Sequence, residues 1–230
     1  MHVILSLGGS LINTERGIDE KFLGEIRGIV TKSGFSFGIV TGGGKAARAY
    51  ANAVREKGGS EFDADEEAIK ATKENGKALI KALGDICYGK VCDSFDEARK
   101  NAPRYKAVVM GGTIPGITTD TDAALLAEAL GAKRLVNISN VEAIYDSDPK
   151  KNPNAKRFER LSYDSLIRLA CQFDTRKAGE NFVFDILACK IIARSKIEAH
   201  FVTGRKMEDV KAAIDGKKHG GTVVKEEVYK

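Results

Sequence analysis

The sequence predicts an α/β fold, a mostly parallel β-sheet with helices on both faces. Three observations predict it. A short apolar strand, a glycine turn and a helix start follow one another three times, with the turns at residues 8–10, 42–44 and 111–113. The run before the third turn, Tyr105-Lys-Ala-Val-Val-Met110, is apolar and β-branched, as a buried strand is. After that turn, Ala123, Leu126, Ala127 and Leu130 recur at the i, i+3, i+4, i+7 spacing of a helix. Repeated strand–turn–helix units build parallel sheets, and their ligands sit beyond the carboxyl ends of the strands.

The elements follow in order. His2-Val-Ile-Leu-Ser-Leu7 is a strand that ends at Gly8-Gly9-Ser10. Phe22, Ile26, Ile29 and Val30 mark a helical face, which Gly34 closes. Residues 35–41 form the next strand and run into Gly42-Gly43-Gly44-Lys45, with a helix over 46–57. Residues 65–83 form a longer helix with Ile69, Thr72, Gly76, Leu79, Ile80 and Leu83 along one side. A weak strand over 87–92 and a short surface helix over 95–100 precede the central unit. Its helix begins near Thr118, Thr119 and Asp120 and ends at Gly131. Residues 134–139 form a strand, and 140–154 a long Asp/Asn/Pro-rich loop of a length that points to function. Helices over 163–171 and 185–195, a strand over 198–203, a helix marked by Met207, Val210, Ala213 and Ile214, and an edge strand over 222–225 complete the chain.

Composition sets limits. The chain has 230 residues, with 43% hydrophobic and 30% charged, as in ordinary soluble domains. Its 37 Lys and Arg against 32 Asp and Glu give a net charge of +5, spread without a basic tract. That bias suits small anionic substrates and gives no reason to expect nucleic acid. No apolar stretch reaches the length of a membrane span, and the N-terminus has no signal-peptide pattern. Cys87, Cys92, Cys171 and Cys189 form no CxxC pair, so reduced thiols and a cytoplasmic location are expected. With three scattered histidines, neither a Ser-His-Asp nor a Cys-His arrangement is visible, and no cluster has zinc spacing.

The glycine turns carry the chemistry. Glycine lets the backbone come close to phosphate oxygens, and a helix N-terminus offers free N–H groups at the positive end of its dipole. After Gly42–Gly44, Lys45 supplies a mobile charge and Arg48 a bidentate donor. The pattern is neither GxxxxGK[ST] nor GxGxxG, so neither a P-loop nor a dinucleotide-binding domain is supported. Separate loops suit a donor and an acceptor that both carry phosphate. Phosphoryl transfer then needs alignment and positive charge more than covalent help. Mg²⁺ carried in on a nucleotide needs few protein carboxylates.

The motifs LGGS (7–10), GGGKAAR (42–48), MGGTIPGITTD (110–120), ISNVEAIYDSDPKKNP (138–153) and FDILACKIIARS (184–195) resemble the amino-acid kinase superfamily, and within it the archaeal-type uridylate (UMP) kinases. The resemblance spans nearly the whole chain. It implies a three-layer α/β/α sandwich and transfer of the ATP γ-phosphoryl to UMP, with Mg²⁺ accompanying ATP. It also implies a homo-oligomer, a hexamer built from dimers. One domain over 1–230 is expected, with an acceptor side over about 1–130 and an ATP side over about 131–230. On the ATP side the resemblance implies Gly8, Gly9 and Ser10 at the phosphates, Gly44 and Arg48 near them, and Ser139, Asn140, Tyr145 and Asp148 around the nucleoside. On the UMP side it implies Gly43 at the phosphate, Asp65 at the ribose, and a wrapping loop of Thr113, Ile114, Pro115, Gly116, Ile117, Thr118 and Thr119. Asp120 is implied as the carboxylate that orients the catalytic cation, with Asp185 and Lys190 on the matching late helix.

The sequence also departs from that family. Many relatives carry Lys two residues before the first glycines, where this chain has Ser6. Lys45 is therefore expected as the catalytic cation, held by Asp120. The helix DADEEAIKATKEN also matches loosely, which weakens the substrate assignment, and with the lysine missing at Ser6 two other readings stay open. One is a same-fold kinase of another acceptor, such as isopentenyl phosphate. The other is a non-catalytic nucleotide- or anion-binding protein.

Overall fold

The computed structural model describes residues 1–147, 149, 152–173 and 184–226. Its elements in chain order are β1 (His2–Leu7), α1 (Gly9–Ile12), β2 (Asn13–Thr14), β3 (Gly17–Ile18), α2 (Glu20–Lys32), β4 (Ser36–Thr41), α3 (Gly44–Glu56), α4 (Glu61–Leu83), β5 (Cys87–Cys92), α5 (Phe95–Asn101), β6 (Ala107–Met110), α6 (Thr119–Ala129), β7 (Arg134–Ser139), β8 (Arg160–Leu161), α7 (Tyr163–Phe173), α8 (Ile186–Arg194), β9 (Glu198–Thr203), α9 (Met207–Asp215) and β10 (Thr222–Val224). Eight strands form one sheet in the order β5-β6-β4-β1-β7-β9-β10-β8. Every pairing from β5 to β9 is parallel, and β10 runs antiparallel to β9. A small β2–β3 hairpin stands apart.

The alternation of β1 explains the layers. Val3, Leu5 and Leu7 pack with α2, α4 and α9 on one face, while Ile4 packs with α6 and α8 on the other. Each such buried aliphatic side chain contributes about 1.5–3 kcal/mol of transfer free energy. Ser6 lies on the Ile4 face of β1, and Asn137 is its register partner on β7. Both therefore point toward the start of α6. The sheet order reverses around β1, with β4 on one side and β7 on the other. Open α/β sheets place their ligand crevices at such a switch point.

Some boundaries differ from expectation. The long helix begins at Glu61, four residues early, because Ser60 and Asp63 form a capping box. The strand near the C-terminus is not at the edge, since the short β8 pairs outside β10. Neither α1 nor the β2–β3 hairpin was signalled by periodicity, because elements of two to four residues are too short to show one. Gly131 ends α6 with φ of 63°, as its position suggests. No described helix is long and apolar enough to cross a membrane. Cys87, Cys92 and Cys189 are buried and free, and Cys171 is exposed and free.

Candidate active site

A cleft of about 540 Å³ opens over the carboxyl ends of β1, β4, β6 and β7. Its centre is a backbone contact. Gly9, at the start of α1, packs so closely on the second glycine turn that a Cβ there would lie 2.3 Å from the Gly42 carbonyl oxygen and 2.4 Å from the Gly44 nitrogen. Gly44 has φ of 60°, and its own Cβ would meet Gly9 and Ser10 backbone at 2.6 Å. Only glycine fits at either position, and the contact brings two phosphate-type loops edge to edge. Gly43 caps α3, so the free N–H groups of that helix open beside Gly9.

Helix α4 steadies these turns with polar groups buried among its apolar residues. Asn75 Nδ2 donates to the Gly42 carbonyl at 2.8 Å. Thr72 Oγ1 accepts from Gly112 N–H at 2.7 Å, and Thr41 Oγ1 donates to the Thr72 carbonyl at 2.9 Å. One helix thus fixes the second and third glycine turns relative to each other.

The start of α6 carries the acidic groups. Asp120 lies on the cleft floor, where Oδ1 accepts from Ser6 Oγ at 3.2 Å and from Asn137 Nδ2 at 3.0 Å. Burial and then the nearby negative Asp185 push the Asp120 carboxyl up to about 7, while the Ser6 and Asn137 bonds act against the rise. Asp185 caps α8 by accepting from Ala188 N–H and also accepts the hydroxyls of Thr118 and Thr121. Thr118 in turn caps α6. One carboxylate therefore ties two helix N-termini together. Asp122 is fully buried and takes the Thr113 hydroxyl at 2.6 Å; burial pushes its carboxyl up to about 6.

Most of the expected residues converge here. Gly8, Gly9, Ser10, Gly43, Gly44, Arg48, Asp65, Ile117, Thr118, Thr119, Asp120, Ser139 and Asn140 all line the cleft. Asn140 Nδ2 donates to Ser10 Oγ at 2.7 Å, which joins the loop after β7 to the first glycine turn. Asp65 Oδ2 accepts from Gly116 N–H at 2.9 Å, so it braces the loop over 113–119 from the side. Thr113, Ile114, Pro115 and Gly116 stand outside the cleft wall, with Ile114 58% exposed. Tyr145 forms an antiparallel bridge to Arg157 and does not line the cleft. Asp148 lies outside the described residues. Lys190 is exposed on α8.

Lys45 departs from expectation. Its ammonium pairs with Glu15 at the tip of the β2–β3 hairpin, and both side chains are largely exposed. Among the described residues no Lys45–Asp120 bond forms, because Lys45 and Arg48 leave α3 in different directions. Lys45 faces a separate 1120 Å³ groove by the hairpin, and Arg48 faces the cleft. Arg48 is the only Lys or Arg that lines the cleft among the described residues. Sequence reasoning missed Thr72, Asn75, Asn137 and the role of Ser6.

Residues 1–203 match the amino acid kinase family. The chain belongs to the amino acid kinase family. Its relatives within that family include the uridylate kinase of Archaeoglobus fulgidus, 40% identical over 97% of this chain and 100% of the relative. The uridylate kinase of Methanocaldococcus jannaschii is 43% identical over 90% of this chain and 93% of its own length. The crystal structure of the Archaeoglobus fulgidus enzyme superposes with a TM-score of 0.83 at 38% identity, covering 97% of this chain and all of that one. The eight-stranded, mostly parallel sheet between two helical layers is therefore the amino acid kinase fold in this chain as well.

Proposed function

We propose that this protein is a uridylate kinase, which transfers the γ-phosphoryl of ATP to UMP and releases ADP and UDP. The observation that carries the reading is the Gly9–Gly44 contact. It sets two phosphate-binding turns against each other in one cleft, the arrangement an in-line transfer between two phosphorylated molecules needs. An oxygen of the UMP phosphate bonds to the γ-phosphorus as the bond from that phosphorus to the β–γ bridging oxygen breaks. The residues around about 1–130 would hold UMP and those around 131–230 the ATP nucleoside, with Gly8, Gly9, Ser10, Gly44, Ser139 and Asn140 on the ATP side. Gly43, Asp65 and the loop over 113–119 would hold UMP. Tyr145 and Asp148 belong to the same proposal through the resemblance. A cytoplasmic location and a homo-oligomeric assembly, a hexamer by the resemblance, belong to the same proposal, and sedimentation would read the assembly. Turnover of UMP alone from a panel of phosphate and carboxylate acceptors is the expected result; preference for another acceptor, or turnover of none, overturns the reading.

The donor set fits a hard dication. Asp120 Oδ1 accepts from Ser6 and Asn137, and the side chain lines the cleft. Mg²⁺ binds through one or two carboxylates, substrate phosphates and water, so Asp120 suffices as its protein contact. When bound, the ion supplies charge neutralisation at the phosphates.

The raised Asp120 carboxyl gives a pH expectation. Below about 7 the free protein holds this group protonated, and a protonated carboxyl neither orients a cation nor meets a dication. The kcat/KM for ATP·Mg should climb with pH, reach half of its plateau near 7 and level off about one unit higher, because kcat/KM reports the free enzyme. The substrate phosphates also titrate near ~6, so Asp120→Asn is the control. It should erase the upper limb and leave the substrate's own. A wild-type profile already flat above pH 6 would rule out this role.

Asp65 gives a second expectation. It braces Gly116 with one oxygen and offers the other to the cleft, where ribose hydroxyls can donate to it. Asp65→Ala should raise KM for UMP roughly 10- to 100-fold, the size of a lost charge-assisted hydrogen bond. KM for ATP should hardly move. Steady-state kinetics varying each substrate in turn would show it, and a change confined to ATP would refute the assignment.

A further inference from the structure

A second concavity, of about 730 Å³, lies at the end of the sheet opposite the cleft. Its floor is a single row of register partners: Arg160 on β8, Val223 on β10 and His200 on β9. Residues in register share a face, and neighbouring strands are roughly 5 Å apart, so these side chains stand side by side. Glu198 and Lys225, two residues along their chains from His200 and Val223, stand on the same face. The loop after α9, residues 216–221, forms the roof and brings Lys218 and His219 over this floor.

The histidines fasten the roof to the floor. Gly221 N–H donates to His219 Nδ1 at 3.0 Å, so a neutral His219 carries its proton on Nε2. That proton meets His200 Nδ1 at 2.8 Å. His200 then holds its own proton on Nε2, which faces Glu198 Oε1 at 2.7 Å. Every ring nitrogen is used once, with one proton per bond, and both imidazoles are neutral. Burial holds His200 well down, at about 4. The pair leaves no nitrogen free for a metal, and it adds no charge to the cavity at neutral pH.

The charge comes from elsewhere. Glu198 is within 3.7 Å of Arg134, Glu159 within 3.8 Å of Arg157, and Lys217 is paired with Asp215 at 2.9 Å. Arg160, Lys218 and Lys225 remain, with no acidic partner among the described residues. Three unmatched cations around one concavity focus positive potential into it. Its volume is that of a small-molecule site.

We propose that this cavity is a second binding site, separate from the cleft, for a compact polyanion of the triphosphate class. Arg160 offers a planar fork to one phosphate, and Lys218 from the roof and Lys225 from β10 offer point charges to the others. Whether the cell presents the triphosphate free or on a nucleoside makes no difference to that recognition.

Titration calorimetry of the full chain with inorganic triphosphate tests this. The wild type should show two classes of site. The triple variant Arg160→Ser/Lys218→Ser/Lys225→Ser should lose one class, with at least a tenfold weakening (about 1.4 kcal/mol by the affinity relation), and keep the other. Arg48→Ala should weaken the other class and keep the one lost in the triple variant. A matched variant, Lys32→Ser/Lys57→Ser/Lys100→Ser, removes the same charge elsewhere and should keep both. All substituted positions are exposed, and thermal melts would verify folding. A single class of site abolished by Arg48→Ala, an equal loss in the two triple variants, or no binding would each overturn the proposal. None of these results bears on UMP phosphorylation, which is assayed separately.

Discussion

Gly9→Ala is expected to lower kcat/KM for UMP phosphorylation by at least about 10²-fold while the chain still folds at 25 °C. The added methyl would lie 2.3 Å from the Gly42 oxygen, 2.4 Å from the Gly44 nitrogen and 2.6 Å from the Gly43 carbonyl carbon. All three are backbone atoms, so no side chain can rotate away. The first and second glycine turns must separate by about 1 Å to restore ordinary contact, and misplacement of that size costs on the order of 10² in rate. Overpacking of this kind also costs roughly 1–3 kcal/mol of stability. Gly24→Ala makes the same chemical change on the exposed side of α2, with nothing within 4 Å. It should raise stability by about 0.5–1 kcal/mol, because alanine suits a helix interior better than glycine, and leave turnover unchanged. Coupled assays with thermal melts on both variants separate the effects. Gly9→Ala with near wild-type turnover would mean that the contact does not align the substrates.

The glycine turns were legible because they break the apolar periodicity at the ends of strands, where a parallel sheet binds ligands. The parallel order followed from the same repeats. The cleft floor was less legible. Ser6 reads as a missing lysine, and only the β1–β7 register shows that it and Asn137 reach the same carboxylate oxygen. Thr72 was visible as a polar residue in an otherwise apolar stripe of α4, and Asn75 sits one turn beyond it. Nothing local says which loop such a group will hold, since Gly42 and Gly112 are 33 and 40 residues away from their partners. Lys45 pairs with Glu15 rather than with Asp120 for a related reason. Sequence puts Lys45 at a helix start near a phosphate turn, but the hairpin carrying Glu15 is too short to be seen in a pattern.

The catalytic cation is therefore expected to be Arg48. It lines the cleft on the first turns of α3, while Lys45 points to the hairpin side. As the phosphoryl group moves, charge develops on its equatorial oxygens, and a fixed donor aimed there stabilises the transition state more than the ground state. Arg48→Ala should lower kcat on the order of 10²–10³-fold, the usual effect of removing one such donor, with smaller changes in both KM values. Lys45→Ala should lower kcat less than about tenfold, since an exposed ion pair such as Lys45–Glu15 is worth at most about 1 kcal/mol. Lys45 and Asp120 do not touch, so the losses in Lys45→Ala and Asp120→Asn should multiply in the double variant. A double variant no worse than its worse single would mean that the two act as one unit. The decisive reversal is a 10²-fold or larger loss in Lys45→Ala beside a mild Arg48→Ala. Lys45 would then leave Glu15 when substrates bind and swing into the cleft. Glu15→Gln would separate that case further, because freeing Lys45 in advance should raise turnover only if the lysine is the group that reaches the phosphates.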